Sequence, residues 1–437
     1  MANTYLSKTL PDAHGGVYKW TYSFWVKRGT LGTTQVMIGS RNSGTYYSQI
    51  KFTSADDLEV NDYRATSYAL QKVTDRKFRD TSAWYHIVIS NDNSVSSPDL
   101  KIYVNGVEET SFSTDNEYSQ NQSTSFNNSY PNYIGQKGTG DYFDGSMSHI
   151  HFIDGTAYQA STFGSTDSTT GEWKINTSPS VTYGTNGFFI LKDGNSVTDQ
   201  SGNSNNFTVS GGTLTKTEDC PSNVFATINS LVPSDIASLS NGNTTLRQSD
   251  QASAIATLGF QGGKYYWEVK NSNQQSYTQI VGVLRQARME ASGNDGYNVG
   301  TNDGSWGYFM QSNQDNGKSF HNNSLGSVYQ TTSANDILQV AVDADAGKIW
   351  WGVNGTWVNS GDPANGTNAV YTNLPTDDVL FPAFSNYNAG QFQINFGNGY
   401  FGTTAVSSAG TNASGIGIFE YDVPTGYTAL STKGLNL

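Results

Sequence analysis

The chain has 437 residues, of which 14% are charged and 13% aromatic, and 24 basic and 37 acidic residues give a formal net charge of −13. This balance argues against nucleic acid and anionic membranes as partners, because no basic face is available to neutralise phosphates. Disorder is also a poor interpretation, since 21 Phe, 9 Trp and 26 Tyr offer far more buriable surface than a solvated coil carries.

The sequence was searched for a membrane span, a secretory signal and cysteine pairs. No apolar run approaches the roughly 18 residues of a membrane span, and the first residues, MANTYLSKTLPDAHGG, lack a basic segment followed by an apolar one. We therefore expect neither membrane insertion nor a secretory signal. Cys220 is the single cysteine, so no intrachain disulfide is expected.

Strands dominate the predicted elements, because Gly, Asn, Ser and Thr interrupt every helical apolar stripe. In chain order, Trp84–Ile89 forms a β-rich run, and Leu100–Val104 leads into Asn105-Gly106. The same pattern, a β-rich run followed by Asn-Gly, recurs where Lys348–Val353 precedes Asn354-Gly355. Asn-Gly predicts a type I′ hairpin turn, since both residues tolerate positive φ.

Apolar periodicity fades between Thr213 and Ser240, where Pro221 and Pro233 appear. Each flanking block of about 200 residues fits one large sandwich. The sequence therefore predicts an all-β protein of two antiparallel β-sandwiches, with domains at residues 1–212 and 236–437 and a linker at 213–235.

The second half carries five motifs in the order in which one known family carries them: Gly263–Val269, Ile280–Val283, Trp306–Tyr308, Ala341–Trp350, and Phe381–Ser385 leading into Gln393–Gly397. On these motifs, residues from about Ile236 to Leu437 resemble a SPRY domain. The resemblance implies a twisted two-sheet sandwich whose loops bind partners and which has no catalytic residues.

The first half resembles a laminin-G-like, concanavalin A-like jelly roll. The matching residues are Tyr22–Lys27, Trp84–Val88, Ile102–Gly106, Ile134-Gly135, and Phe143–Gly145 leading into His151–Gly155. The C-terminal part of this half carries more specific motifs: Phe163-Gly164, Thr170–Trp173, Gly184–Phe188, Asp199–Asn203 and Asn206–Val209, here called the tail. This tail, followed by a SPRY-like domain ending in Pro424–Leu430, is similar to virion proteins of tailed bacteriophages, particularly marine ones.

That similarity implies a non-enzymatic protein on the virion surface, either a tail-fibre or spike component or a capsid decoration. Its expected partners are other virion proteins and host-surface glycan. A homo-oligomer is expected because fibres and decorations follow particle symmetry, and a trimer is the first expectation.

Two alternatives stay open: a polysaccharide depolymerase on the jelly-roll scaffold, and a free carbohydrate-binding lectin. Retaining hydrolysis needs two carboxylates about 5–5.5 Å apart, and jelly-roll glucanases typically carry them on a Glu-x-Asp-x-(x)-Glu strand. The chain has no such run, and Asp56, Asp57 and Glu59 are predicted to occupy adjacent or loop positions. We therefore expect no catalytic residues.

No cofactor and no metal site are assigned. His149 and His151 are expected on one face of a strand, but two histidines do not complete a tetrahedral site. The lectin-like resemblance implies that a structural calcium ion is compatible with Asn105, Asp141 and Asp144. These three are equally well explained as ordinary turn residues.

Ligand contact is predicted in the Gly- and Asn-rich stretch that corresponds to the variable loops of the SPRY family, at Tyr297, Asp303, Trp306, Tyr308 and His321. Aromatic rings pack against the apolar faces of sugars, and nearby amides form hydrogen bonds with sugar hydroxyls. The competing interpretation makes Trp306 and Tyr308 core aromatics of the Trp-Gly-Tyr strand. Tyr46-Tyr47 beside Arg41 is a weaker candidate in the first half.

Overall fold

A computed structural model describes residues 3–12, 18–192, 196–231, 238–247, 252–286 and 298–436. They form an all-β protein of mainly antiparallel sheets, which confirms the predicted fold class. The chain divides into two compact units, residues 1–216 and 217–437. Part of the segment predicted as a linker packs into the second unit, where Phe225 and Ile228 are buried among core side chains.

The first unit contains sixteen described strands: β1 (Tyr5–Thr9), β2 (Lys19–Arg28), β3 (Gln35–Ser43), β4 (Tyr46–Phe52), β5 (Asp57–Arg64), β6 (Ser67–Lys77), β7 (Tyr85–Asp92), β8 (Lys101–Val104), β9 (Val107–Glu108), β10 (Phe112–Asn116), β11 (Pro131–Ile134), β12 (Gly145–Asp154), β13 (Gly164–Thr166), β14 (Trp173–Ile175), β15 (Phe188–Ile190) and β16 (Thr208–Ser210).

Two large sheets of this unit pack face to face. One has eight strands in the order β10-β6-β5-β4-β3-β11-β1-β16, and the other has six in the order β15-β12-β2-β7-β8-β9. Strict alternation along β2 sends Trp20, Tyr22, Phe24 and Val26 into the core between the sheets. The eight-stranded sheet meets them with Ile50, Phe52 and other apolar side chains of alternate positions.

The hairpin of β13 and β14 covers the outer face of the six-stranded sheet. Its Trp173 packs against Gly106, where an added Cβ would lie 2.3 Å from the indole ring. Trp173 also stacks on His86, with ring centroids 5.9 Å apart. Both faces of the six-stranded sheet are therefore packed here, whereas the eight-stranded sheet keeps accessible side chains on its outer face.

The second unit contains a further sixteen described strands: β17 (Ser238–Ser240), β18 (Thr245–Arg247), β19 (Ala252–Ile255), β20 (Lys264–Asn273), β21 (Gln279–Arg285), β22 (Ser305–Phe309), β23 (Lys318–His321), β24 (Ser324–Val328), β25 (Ile337–Asp343), β26 (Lys348–Val353), β27 (Thr356–Trp357), β28 (Leu380–Asn386), β29 (Gln391–Asn395), β30 (Tyr400–Phe401), β31 (Thr404–Ala405) and β32 (Thr428–Ala429).

Its core also lies between two sheets. The first has the order β17-β18-β29-β20-β25-β26-β27, with β32 paired to β20, and the second has the order β19-β28-β21-β22-β23-β24. Trp267 on β20 and Trp351 on β26 point into the main core, while their neighbours Tyr266 and Trp350 point to the opposite face. Phe419 packs on that opposite face, so the central strands are buried on both sides.

Both predicted Asn-Gly hairpin turns are confirmed. Asn105 and Gly106 have φ of 49° and 81°, and Asn354 and Gly355 have φ of 48° and 87°. Positive φ at both central residues is the signature of a type I′ turn.

Three short 3₁₀ segments complete the described structure: Ala160–Thr162, Val358–Ser360 and Gly434–Asn436. In the described part of the chain, no helix has the length and apolar character needed to cross a membrane.

Candidate functional site

Trp306, one of the predicted ligand residues, lies inside the second unit. It sits on β22 with 2% of its surface exposed and belongs to the main core. The indole stacks on His321 with ring centroids 4.7 Å apart and planes 10° apart, and its N–H donates to Asn373 Oδ1 at 3.0 Å. A sugar ring would need one uncovered face of this indole, so the geometry favours the core interpretation.

Tyr308 is two residues along the same strand and therefore points the same way as Trp306. It is fully buried, and its hydroxyl donates to the backbone carbonyl of Gln330 at 2.6 Å. Burial raises the pKa of Tyr308 to about 12. Its polar group is thus satisfied inside the protein, which again fits the core interpretation.

Of the two other predicted residues besides His321, the structure describes Asp303. The Asp303 carboxylate is half exposed and lies 4.0 Å from the Arg285 guanidinium. Tyr297 lies outside the described residues. The structure therefore brings Trp306 and His321 together and places Tyr308 beside Trp306 in the core. Ligand binding by these five residues stays a prediction.

An aromatic cluster with accessible surface occurs instead on the outer face of the eight-stranded sheet in the first unit. Ile50 and Phe52 of β4 point into the core, so Tyr47 on the same strand points outward. Tyr63 of β5 lies directly opposite Tyr47, and Tyr68 of β6 lies directly opposite Tyr63. Alternation directs Tyr47 and Tyr63 outward, and a register shift between Asp62 and Tyr63 brings Tyr68 to the same side although Leu70 of β6 points into the core.

These tyrosines contact one another as a unit. The Tyr47 and Tyr63 rings stack with centroids 5.2 Å apart, and Tyr63 meets Tyr68 edge-on at 5.1 Å. Tyr68 keeps 39% of its surface exposed. Tyr46 is equally exposed, but alternation directs it to the other side of β4.

Arg41 extends this row onto the next strand. It lies directly opposite Tyr47 on β3, and its Nη1 donates to the Thr139 hydroxyl. Gly138, with φ of 92°, fits closely beside it, because an added Cβ would lie 3.1 Å from Arg41 Cδ and 3.0 Å from the Tyr133 ring. We call Arg41, Tyr47, Tyr63 and Tyr68 the tyrosine face.

A row of amides runs parallel to the tyrosines. Gln49, Asn61 and Gln71 are directly opposite one another on β4, β5 and β6. Asn61 is fully buried and its Nδ2 donates to Glu59 Oε1 at 2.8 Å, while its Oδ1 has no hydrogen-bond partner among the described residues. The Lys51 ammonium lies 3.0 Å from Glu59 Oε2.

The carboxylates beside this surface differ from the sequence expectation. Asp57 and Glu59 lie at alternate positions of β5 and thus on one face, whereas they were predicted at adjacent or loop positions. Each is paired with a lysine, since Lys77 lies 2.7 Å from Asp57 and Lys51 lies 3.0 Å from Glu59. The next alternate position is Asn61, an amide, so the strand does not reproduce a row of three carboxylates.

A buried Ser23–His86 pair resembles a nucleophile and base but has the wrong proton arrangement. His86 Nδ1 accepts from the Trp173 indole N–H at 2.9 Å, so in the neutral ring the proton is on Nε2. That Nε2 lies 2.9 Å from Ser23 Oγ and therefore donates to it. Burial and the charge of His149 lower the pKa of His86 to about 3. This imidazole cannot accept the serine proton.

Possible metal ligands are engaged elsewhere. His149 and His151 both contact the Phe189 ring, although a register shift between Ser148 and His151 and a φ of 48° at His149 interrupt regular alternation, and His151 Nδ1 is bonded to the Tyr183 hydroxyl at 2.9 Å. Asn105 Oδ1 accepts from the His86 backbone N–H at 2.8 Å. In the described part of the chain, no group of three His, Cys, Asp or Glu side chains is arranged to hold a metal. A structural calcium ion stays a prediction.

Tyr63, Tyr68, Asn61, Gln49 and Gln71 were not identified from sequence. One signal was present, because Glu59, Asn61 and Tyr63 alternate with the apolar or buried Leu58, Val60 and Asp62 along β5. Alternation predicts that the first three share a face. It does not show which strands lie beside them, and the pairing is what creates the two rows.

Comparison with known proteins supports the two sandwiches separately. The family model for the concanavalin A-like lectin/glucanases superfamily matches residues 3–161, and the SPRY domain model matches residues 264–399. No curated protein matches the chain.

Solved structures resemble parts of the chain. The SPRY domain of human HERC1 is 19% identical, with a TM-score of 0.29, over 36% of this chain and 90% of that one. A protein from Bacteroides ovatus that is provisionally named as carbohydrate-binding is 16% identical, with a TM-score of 0.34, over 49% of this chain and 58% of that one. From the two family models, the chain contains a concanavalin A-like lectin/glucanase-type domain followed by a SPRY domain.

Proposed function

We propose that this chain is a non-enzymatic glycan-binding protein of a bacteriophage virion surface, either a tail-fibre or spike component or a capsid decoration. The observation that carries glycan binding is the tyrosine face, whose three rings contact one another and whose Tyr68 is 39% exposed. Sugar rings pack their apolar C–H faces on aromatic side chains.

The tyrosine face suits this role because its contact surface is already ordered. Tyr47, Tyr63 and Tyr68 hold one another through ring contacts. A tyrosine has few rotatable bonds, so little conformational entropy is lost when a ligand packs on it. The strands beneath supply a rigid support, which favours binding over a mobile loop.

Binding without catalysis is supported by the groups beside the tyrosine face. Asp57 and Glu59 are each neutralised by a lysine, and Asn61 replaces a third carboxylate. His86, the imidazole bonded to Ser23, is already protonated on the nitrogen that faces the serine. Each arrangement differs from what a retaining glycosidase or a serine nucleophile requires.

The virion assignment is supported by the bacteriophage-like tail motifs between Phe163 and Val209 followed by a SPRY domain. We propose other virion proteins as its assembly partners and a trimer as its oligomeric state. Antibodies against the chain should label tailed particles in immunogold electron microscopy, and its peptides should be present in purified particles. Their absence from the particles would leave a free lectin as the better description.

Glycan binding is tested with two equally exposed tyrosines. Tyr68→Ala should weaken binding to host envelope polysaccharide roughly five- to tenfold, because it removes an aromatic contact. Tyr46→Ala is the matched control, since Tyr46 is also 39% exposed but points to the other side of β4. Binding is measured by biolayer interferometry on immobilised polysaccharide.

Equal loss in both variants, or none in Tyr68→Ala, contradicts the assignment of the tyrosine face. The same polysaccharide is incubated with the protein and assayed for reducing ends. Release of reducing ends that stops in Glu59→Gln would establish the depolymerase alternative.

A further inference from the structure

We propose that the tyrosine face binds carboxylate-bearing glycans, with Arg41 receiving the sugar carboxylate; this inference rests on the proposed glycan binding. The ligand class is polysaccharides that contain uronic or sialic acids. The supporting feature is an arginine that has no acidic partner among the described residues and lies next to three ordered aromatic rings.

Arg41 differs from every other arginine of the first unit. Those four each lie close to a carboxylate, with N···O distances of 3.1 Å for Arg28–Asp56, 3.0 Å for Arg64–Asp62, 2.5 Å for Arg76–Glu109 and 3.3 Å for Arg79–Asp56. Among the described residues, Arg41 has a hydroxyl partner, Thr139, and no carboxylate partner. In a chain with 37 acidic and 24 basic residues, this leaves an uncompensated positive charge on the outer sheet face.

The neighbouring charges do not cancel that of Arg41. Glu59 is paired with Lys51, and the buried Asp62 accepts from Arg64. Lys137, in the loop next to Thr139, is paired with Asp141. The local balance beside the tyrosines is therefore positive, although the chain as a whole is strongly negative.

The surroundings also fix the direction of the guanidinium. Thr139 accepts from Nη1, and Gly138 lies close to the aliphatic part of Arg41 and to the Tyr133 ring. The described residues use one of the five N–H donors that a guanidinium carries. The planar fork can thus donate two parallel hydrogen bonds to a carboxylate, which a lysine ammonium cannot reproduce.

The position of Arg41 couples charge recognition to ring stacking. Arg41 and Tyr47 are directly opposite on adjacent strands, and such pairs have Cβ atoms about 5 Å apart. A carboxylate on a sugar ring can reach Arg41 while that ring or the next one packs on the tyrosines. The tyrosines contribute affinity for any suitable sugar, and Arg41 contributes the preference for an acidic one.

The test uses pairs of polymers that share a backbone but differ in charge. The full chain is titrated with polygalacturonic acid, alginate and polysialic acid, and with the methyl ester of each. We expect the wild type to bind at least one acid about tenfold more tightly than its ester, as expected for a charge-assisted bidentate contact. Rising salt should reduce this preference.

Arg41→Gln should remove the preference while retaining the affinity for the ester, and Arg41→Lys should retain only part of it. Arg76→Gln is the control, because Arg76 is an exposed arginine of the same unit that already has an acidic partner. Circular dichroism confirms that each variant is folded.

Each outcome separates this inference from the proposed function. If esters or neutral glycans bind as tightly as the acids, or if Arg41→Gln keeps the preference, the acidic specificity is wrong while glycan binding stands. If none of the acids or esters binds, and the host envelope polysaccharide does not bind either, both fail.

Discussion

Two aromatic clusters in this protein have similar composition and opposite accessibility. In the second unit, Trp306 is covered by His321, and its N–H is bonded to Asn373. In the first unit, Tyr63 and Tyr68 lie on an outer sheet face beside Arg41, which has no acidic partner among the described residues. Aromatic residues near polar ones are therefore candidates for a binding surface only where the strand geometry leaves their rings exposed.

The largest expected effect tests the buried cluster. Trp306→Ala should destabilise the second unit by about 3–5 kcal/mol, since it removes a fully packed indole and leaves a cavity. Chemical denaturation followed by amide hydrogen exchange on peptides of each unit measures this loss. Glycan binding below the unfolding transition should persist. A stable Trp306→Ala variant that no longer binds glycan would reverse the comparison of the two clusters.

The next effect is a different pH dependence of stability in the two units. Burial and His149 lower the pKa of His86 to about 3, and burial raises the pKa of Glu268 to about 7 against the hydrogen bonds from the backbone of Glu420 and Tyr421. The ordinary pKa values of these groups are 6.5 and 4.5. A tenfold difference in proton affinity between the folded and unfolded chain changes the free energy of unfolding by about 1.4 kcal/mol.

The two groups act in opposite directions. The His86 contribution is complete above about pH 6.5 and is lost as the pH falls toward 3, because the unfolded chain binds the proton more tightly. The Glu268 contribution is complete below about pH 4.5 and is lost as the pH rises through 7. Hydrogen exchange in each unit measures how the free energy of unfolding changes with pH. Glu268→Gln should flatten the second unit's slope only, and an unchanged slope contradicts this assignment.

The smallest expected effect concerns the support of Arg41. Gly138→Ala should cost about 1–3 kcal/mol, because it places a Cβ at positive φ, and it should push Arg41 and Tyr133 apart. Gly140→Ala is the control, since Gly140 also has positive φ, 69°, but an added Cβ would meet nothing within 4 Å. Thermal unfolding and acid–ester discrimination are measured for both. Only Gly138→Ala should lose discrimination, and equal discrimination in both variants would show that Gly138 does not position Arg41.

Local patterns in the sequence were sufficient for the all-β class and for the turns at Asn105-Gly106 and Asn354-Gly355, because these depend on short-range preferences. They also pointed to Tyr47 and Arg41. The partners Tyr63 and Tyr68 were not predicted, since their alignment depends on the pairing of β4, β5 and β6. A register irregularity between Asp62 and Tyr63 adds to this difficulty.

Two other positions depend on where a strand begins. Asp57 and Glu59 were predicted at adjacent or loop positions, but β5 begins at Asp57, so the two carboxylates share a face. For Trp306, in a Gly- and Asn-rich stretch, the sequence left two interpretations open, ligand contact or a core position on the Trp-Gly-Tyr strand; β22 starts at Ser305 and directs the indole into the core. In both cases the composition of the flanking residues does not define where the strand begins.

The most direct test of the tyrosine face is hydroxyl-radical footprinting of the full chain with and without bound host polysaccharide. Mass spectrometry then reports the oxidation of individual tyrosine side chains. Bound glycan should reduce oxidation of Tyr63 and Tyr68, while Tyr46 and Tyr277, which are 39% and 50% exposed, should react as before. Unchanged oxidation of Tyr63 and Tyr68, with protection confined to the second unit, would contradict glycan binding at the tyrosine face.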